Sequence, residues 1–208
     1  MKRVRVIPTL LVDTLKLVKT RCFKSPTYVG DPINALRIFN EKEVDEIAVL
    51  DISATRQHRE PDFNFIHQLA SECFMPLSYG GGITTAEQAR ELFRLGVEKV
   101  ILGRSAIKNP ELVSAISEMS GVQSVVAAVD VKKDLFGRWR VFIDNGTVNT
   151  GLSPSRAAIK MEELGAGEIL LQNIEREGLL SEYDLKIIKE VSEAVKIPVV
   201  ASGGASKM

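Results

Sequence analysis

Carboxylates and glycines at the ends of short apolar runs are the first chemistry this sequence offers. Asp51 closes the run Ile47–Asp51, and Asp130 closes the run Ser124–Asp130. A carboxylate at the end of a buried strand is placed to exchange a proton with a bound ligand. A lone carboxylate also caps turns, and that role stays open for both. Gly80, Gly81 and Gly82 follow the run Pro76–Tyr79, and Gly203 and Gly204 follow Pro198–Ala201. Such glycines expose backbone N–H groups just before a helix starts, a setting that suits phosphate. Gly103 and Arg104, after the run Lys99–Gly103, add a cationic side chain, and Gly178 closes the segment Asn173–Gly178. One glycine pair alone is ordinary turn chemistry. Recurrence at several strand ends points to a phosphorylated ligand.

A second group sits at the opposite ends of the same runs. Arg5, Glu46, Lys99 and Glu168 precede or open four of them. Two cations and two carboxylates at equivalent heights form a neutral ion-pair ring if the strands close on one another. Bare charges in such places more often serve stability. The stretch Thr14–Gly30 carries Lys16, Lys19, Arg21 and Lys24 and reads as a structureless loop, a lid or binding loop for an anion. His58, His67, Cys22 and Cys73 have no partner at metal-ligand or nucleophile spacing, so no metal and no cofactor is expected.

The elements that position these groups alternate. Apolar β-branched runs at Val4–Pro8, Ile47–Asp51, Pro76–Tyr79, Lys99–Gly103, Ser124–Asp130, Glu168–Gln172 and Pro198–Ala201 predict buried strands. Apolar spacing of three and four predicts helices over Ala86–Leu95, Pro110–Met119, Arg156–Leu164 and Tyr183–Val195. The pattern is α/β with a parallel sheet. Its period is about 32 residues, that of a βα unit. One common offset lays Gly81 and Gly82 on Gly203 and Gly204, and Asp51 on Asn173. Two similar half-barrels give such an echo, so a (β/α)8 TIM barrel in one domain over residues 1–208 is expected. A doubly wound sheet ranks second, because its phosphate loop follows the first strand. About seven strands are present, so the chain is expected to lack roughly one and a half βα units of a barrel of about 250 residues.

Composition excludes other classes. The 208 residues are 45% apolar and 26% charged, with 27 basic against 27 acidic side chains. That balance argues against nucleic-acid binding, which normally shows a basic excess. No apolar run reaches the roughly 18 residues of a membrane span, and the N-terminus is not a signal peptide. A cytoplasmic protein is expected.

The motifs LDIS at 50–53, GGGI at 80–83, GVEKV at 96–100, VVAAVDVKK at 125–133, NTG at 149–151, GAGEILL at 165–171, Ile174–Gly178 and ASGGASKM at 201–208 resemble the HisF family along the whole chain. That family is the cyclase subunit of imidazole glycerol phosphate synthase. The resemblance implies a (β/α)8 barrel paired with a HisH-like glutaminase as a heterodimer. Ammonia enters at the barrel floor and reacts at the top with a bis-phosphorylated formimino-aminoimidazole carboxamide ribonucleotide, giving imidazole glycerol phosphate for histidine biosynthesis. Under the resemblance Arg5, Glu46, Lys99 and Glu168 become an ammonia gate, and Asp130 a catalytic aspartate. Lys19, Asp51, Gly81, Gly82, Gly103, Arg104, Asn173, Gly178, Gly203 and Gly204 become substrate or phosphate contacts.

Departures from the family pattern cluster at the chemistry. Leu11 stands where the second catalytic aspartate belongs, and Asp13, two residues on, is expected to point elsewhere. Gly103-Arg104 replaces an Asn-Thr pair, and Gln172-Asn173 a Thr-Ser pair. Two readings follow. One is a cyclase whose activity is compromised by Leu11. The other is a HisF-like paralogue that passes ammonia to another amidotransfer, such as amidination of cell-surface sugars. A related isomerase barrel fits less well, since it needs no ammonia gate.

Overall fold

The computed structural model describes residues 5–206. They fall into two compact units. The first holds the chain up to Lys19 and then Thr27–Ile101; the second holds Thr20–Pro26 and everything from Leu102 onward.

The first unit opens with strand β1 (Thr9–Asp13); β2 (Lys16–Arg21) and β3 (Lys24–Gly30) follow, their residues Thr20–Pro26 counted in the second unit, and lead into helix α1 (Pro32–Glu41). Then follow β4 (Ile47–Asp51), α2 (Phe63–Glu72), β5 (Leu77–Gly80), α3 (Ala86–Arg94) and β6 (Lys99–Leu102). β1, β4, β5 and β6 pair in parallel, while β2 returns antiparallel on β1. Helix starts are written in the sequence. Asp31 accepts the Asn34 amide ahead of Pro32 in the first turn, and Thr85 and Gln88 form a reciprocal capping box. Ile47 and Val49 are fully buried, as are Leu36, Ile66, Leu69 and Leu92 on the helices.

The second unit continues with α4 (Arg104–Lys108), α5 (Glu111–Ser120), β7 (Val125–Lys133), β8 (Trp139–Ile143), β9 (Val148–Asn149), α6 (Pro154–Glu163), β10 (Glu168–Asn173), α7 (Leu185–Ala194) and β11 (Val199–Ser202). β7, β10 and β11 are parallel; β8 and β9 are antiparallel additions beside β7. The parallel βα frame of both units is the α/β class of a (β/α)8 barrel.

Four expectations change. The first strand is Thr9–Asp13, not Val4–Pro8; Val4 lies outside the described residues, and Pro8 only contributes its carbonyl to the Ala48 amide at 2.9 Å. Residue 11 is therefore inside a strand rather than just after one. Thr14–Gly30 is not structureless but a hairpin of β2 and β3. Asp130 does not end its strand, because β7 runs on to Lys133 to pair with β8. Asp13 does not turn away: strand alternation keeps it on the side of Leu11, where Arg56 meets its carboxylate at 3.6 Å.

The turn between β7 and β8 is shaped from inside. Asp134 accepts the Phe136 and Arg138 amides at 2.8 and 3.0 Å and pairs with the Arg138 guanidinium at 3.0 Å. Leu135 and Phe136 at its tip are exposed, and Arg138 lies over the Phe136 ring at 4.9 Å.

Candidate functional site

Parallel registry aligns side chains in rows across a sheet face, since paired residues point the same way. In the first unit one row reads Leu11, Leu50, Gly80 and Ile101. Gly80 sits so tightly in it that a methyl group would overlap Ile101 and Leu50. The next row toward the strand starts reads Thr9, Ala48, Ser78 and Lys99. The row that holds Leu11 is thus carbon-lined, and no acid–base group stands in it.

Below these rows lies the ionic cluster. Glu46 accepts from the Lys99 ammonium at 2.9 and 3.0 Å and from the Ser78 hydroxyl at 2.8 Å. Arg5 pairs with the same carboxylate at 3.2 Å. The Glu46 side chain is 5% exposed and that of Lys99 17%. Of the expected ring, Arg5, Glu46 and Lys99 come together in this unit. Glu168 belongs to the second unit, where it opens β10 and is buried.

Asp51 ends β4, as its run suggests. Its Oδ1 accepts from the Ser53 amide, the Ser53 hydroxyl and the Ala54 amide at 2.8–2.9 Å, and Arg59 approaches Oδ2 at 3.4 Å. This is the turn-capping role. Gly81, at φ +121°, passes so close to the Asp51 carbonyl that a Cβ would overlap it. Gly82 is buried beside it, before α3.

In the second unit the row at the site end of the sheet reads Asp130, Gln172 and Ser202. Surrounding protein desolvates the Asp130 carboxyl and pushes it up to about 7. Among the described residues, nothing donates a hydrogen bond to it. A carboxyl titrating near neutrality is suited to acid or base work. Glu168 lies on the same face, two rows toward the strand start. Asn173 follows Gln172 on the opposite face. Its Oδ1 accepts the Glu175 amide at 3.0 Å, and its buried Nδ2 has no partner among the described residues. Gly203 and Gly204 follow β11 with positive φ, and Gly203 abuts the Asn173 carbonyl. Gly103 precedes α4, and the Arg104 Nε pairs with Asp144 at 2.6 Å. Gly178, at φ +71°, lies against the Thr20 carbonyl. Lys19 is exposed on β2, on the face opposite the buried Val18 and Thr20.

Sequence reasoning missed the acceptor of the Arg104 charge, since Asp144 belongs to a turn between two unforeseen strands. It missed Gln172 and Ser202 as neighbours of Asp130; strand register alone supplies that link. Among the described residues, no group of three or more His, Cys, Asp or Glu is gathered to hold a metal ion, and no helix is long and apolar enough to cross a membrane.

Comparison with known proteins places this geometry. A family model described as histidine biosynthesis protein matches residues 5–208. A Leptospira interrogans protein provisionally named as an imidazole glycerol phosphate synthase subunit HisF is 50% identical over all of this chain and 82% of its own length. A Pseudomonas aeruginosa protein, provisionally named as subunit hisF2 of the same synthase, is 48% identical over all of this chain and 83% of its own. The imidazole glycerol phosphate synthase subunit HisF of Clostridium botulinum (strain Langeland) is 43% identical over 98% of this chain and 81% of its own.

Proposed function

This chain belongs to the histidine biosynthesis protein family as a HisF-like imidazole glycerol phosphate synthase subunit, and from that premise we propose that it receives ammonia from a HisH-like glutaminase and delivers it to an acceptor other than the cyclase substrate. The observation that carries this reading is Leu11. It lies in a carbon-lined row with Leu50 and Ile101, where the family resemblance requires a catalytic aspartate. Leucine neither moves a proton nor stabilises a charged intermediate. Loss of one positioned acid–base group lowers a rate by about 10²–10⁴-fold.

The entry side supports ammonia handling. Arg5, Glu46 and Lys99 are joined at one carboxylate, at the strand starts, where the resemblance puts the gate. The resemblance assigns Glu168 the same role. Delivery is to a phosphorylated acceptor at the strand ends, with Gly81, Gly82, Gly103, Arg104, Asn173, Gly178, Gly203 and Gly204 as contacts and Asp130 as the remaining acid–base group. The partner is the glutaminase, and the setting is the cytoplasm.

A second reading is favoured by one observation. A carboxyl at about 7 is well matched to general acid–base catalysis near neutral pH, so Asp130 alone could drive cyclisation.

An ammonium-dependent assay with the phosphoribulosyl-formimino substrate separates the two, using the full-length protein both unmodified and as Leu11→Asp. The expected result is no turnover by either, because Arg104, Gln172 and Asn173 also depart from the family pattern. Turnover by the unmodified protein at ordinary enzyme rates, ~1–10³ per second, would establish the cyclase reading instead.

A further inference from the structure

Glu177 has no part in the function proposed above, yet its carboxylate is built into the second unit with care. It is 8% exposed, in the loop after β10. Both oxygens are engaged: the Thr20 hydroxyl donates to Oε1 at 2.8 Å and the Phe23 amide donates to Oε2 at 3.0 Å. The Cys22 amide donates to the Glu177 carbonyl at 3.0 Å. The Gly178 backbone lies against the Thr20 carbonyl, closer than any side chain would permit. All of these contacts converge on the tip of the β2–β3 hairpin, whose turn residues Cys22 and Phe23 have φ of 51° and 61°, the left-handed pair of a two-residue hairpin turn.

The rest of the arm is poorly buried. β3 is exposed from Lys24 to Val29, and on β2 only Val18 and Thr20 are buried. A strand without apolar cover gains little from packing, and such segments open locally at low free energy. Hydrogen bonds to a buried carboxylate are charge-assisted and are among the stronger ones available.

We propose that Glu177 is a positioning residue that docks the hairpin tip and so fixes the strand carrying Lys19. The inference goes beyond the function proposed above and survives its failure, because docking is measurable whatever the acceptor.

The test is limited trypsin cleavage of the full-length protein at Arg21 and Lys24, the basic residues flanking the tip, with mass spectrometry to assign the cuts. Hydrogen exchange at the Phe23 amide runs in parallel. Glu177→Leu removes both acceptors and should speed cleavage at these two sites roughly tenfold or more, without matching acceleration at Lys and Arg residues outside the β2–β3 hairpin. Glu177→Gln should stay within about threefold of the unmodified protein. Its carbonyl can accept the Phe23 amide while the Thr20 hydroxyl reverses to accept from its NH₂. Thr20→Val removes one donor and should lie between; it carries the test if Glu177→Leu does not fold. Unchanged cleavage in both Glu177→Leu and Thr20→Val would overturn the proposal. So would acceleration spread evenly over all tryptic sites, which signals general destabilisation rather than release of the arm.

Discussion

The Lys99 ammonium donates to both oxygens of Glu46, at 2.9 and 3.0 Å, and the Arg5 guanidinium meets the same carboxylate from a more exposed position. The three groups are unequal. Removing the carboxylate takes two charge-assisted hydrogen bonds from a largely buried cation and one from the Ser78 hydroxyl, whereas removing Arg5, 40% exposed, leaves Glu46 paired with Lys99 and Ser78. Glu46→Ala is expected to destabilise by about 1–3 kcal/mol and Arg5→Ala by less than about 1 kcal/mol. Urea midpoints of the two variants decide; equal losses would mean that the carboxylate is solvated in practice.

Asp130 predicts a pH dependence with a definite sign. Its carboxyl is raised to about 7 by desolvation, from an ordinary value of 3.8. The native state therefore holds a proton that the unfolded chain releases. This contribution to stability is complete below about pH 3.8, declines as pH rises, and is lost above about 7. One pKa unit corresponds to about 1.4 kcal/mol, so the span reaches ~4 kcal/mol as an upper bound. Asp130→Asn should flatten the curve and be the more stable protein at pH 8. Denaturation at pH 5 and pH 8 measures this directly, and parallel curves for the two proteins would refute it.

Asp51 should betray its role through stability. Three hydrogen bonds at 2.8–2.9 Å shape the turn after β4. Asp51→Ala leaves buried donors unmatched and is expected to lower stability by about 1–3 kcal/mol. Arg59→Ala, with Arg59 more exposed, should change it by less than about 1 kcal/mol. Thermal melts of both variants are sufficient, and a neutral Asp51→Ala would return the carboxylate to the list of ligand contacts.

Leu11→Asp puts a carboxyl into a row of carbon neighbours. The loss is expected to be about 1–3 kcal/mol at pH 8 and smaller at pH 5, where the new group is more readily protonated. A melt series over that range tests it; pH-independent loss would show that the new carboxylate escapes to water.

The frame was legible because its strands are apolar enough to be buried on both faces. Ser124–Asp130 and Glu168–Gln172 stand out for that reason, and each run overlaps an observed strand. The β2–β3 hairpin was not, because a strand exposed on both faces has no reason to alternate. β1 was displaced because the run Val4–Pro8 has the right residue types, while the ladder with β4 begins at Thr9. Residue types pointed to Arg5, Glu46, Lys99 and Glu168 as a group, but only the folded chain shows Arg5 and Lys99 meeting at the Glu46 carboxylate. Glu177 gave no signal at all, since its partners Thr20 and Phe23 lie far away in sequence.

Asp134 has a consequence for what this surface can present. The turn between β7 and β8 is closed by the Asp134 side chain and by two backbone bonds, from the Asp134 amide to the Arg138 carbonyl at 2.9 Å and from the Gly137 amide to the Asp134 carbonyl at 3.0 Å, while the Leu135 side chain, fully exposed, takes no part. Form and content are uncoupled there. A substitution of the Leu135 side chain alters what the molecule shows to its surroundings and leaves every hydrogen bond of the turn in place, so this tip can carry a new side chain without a new backbone.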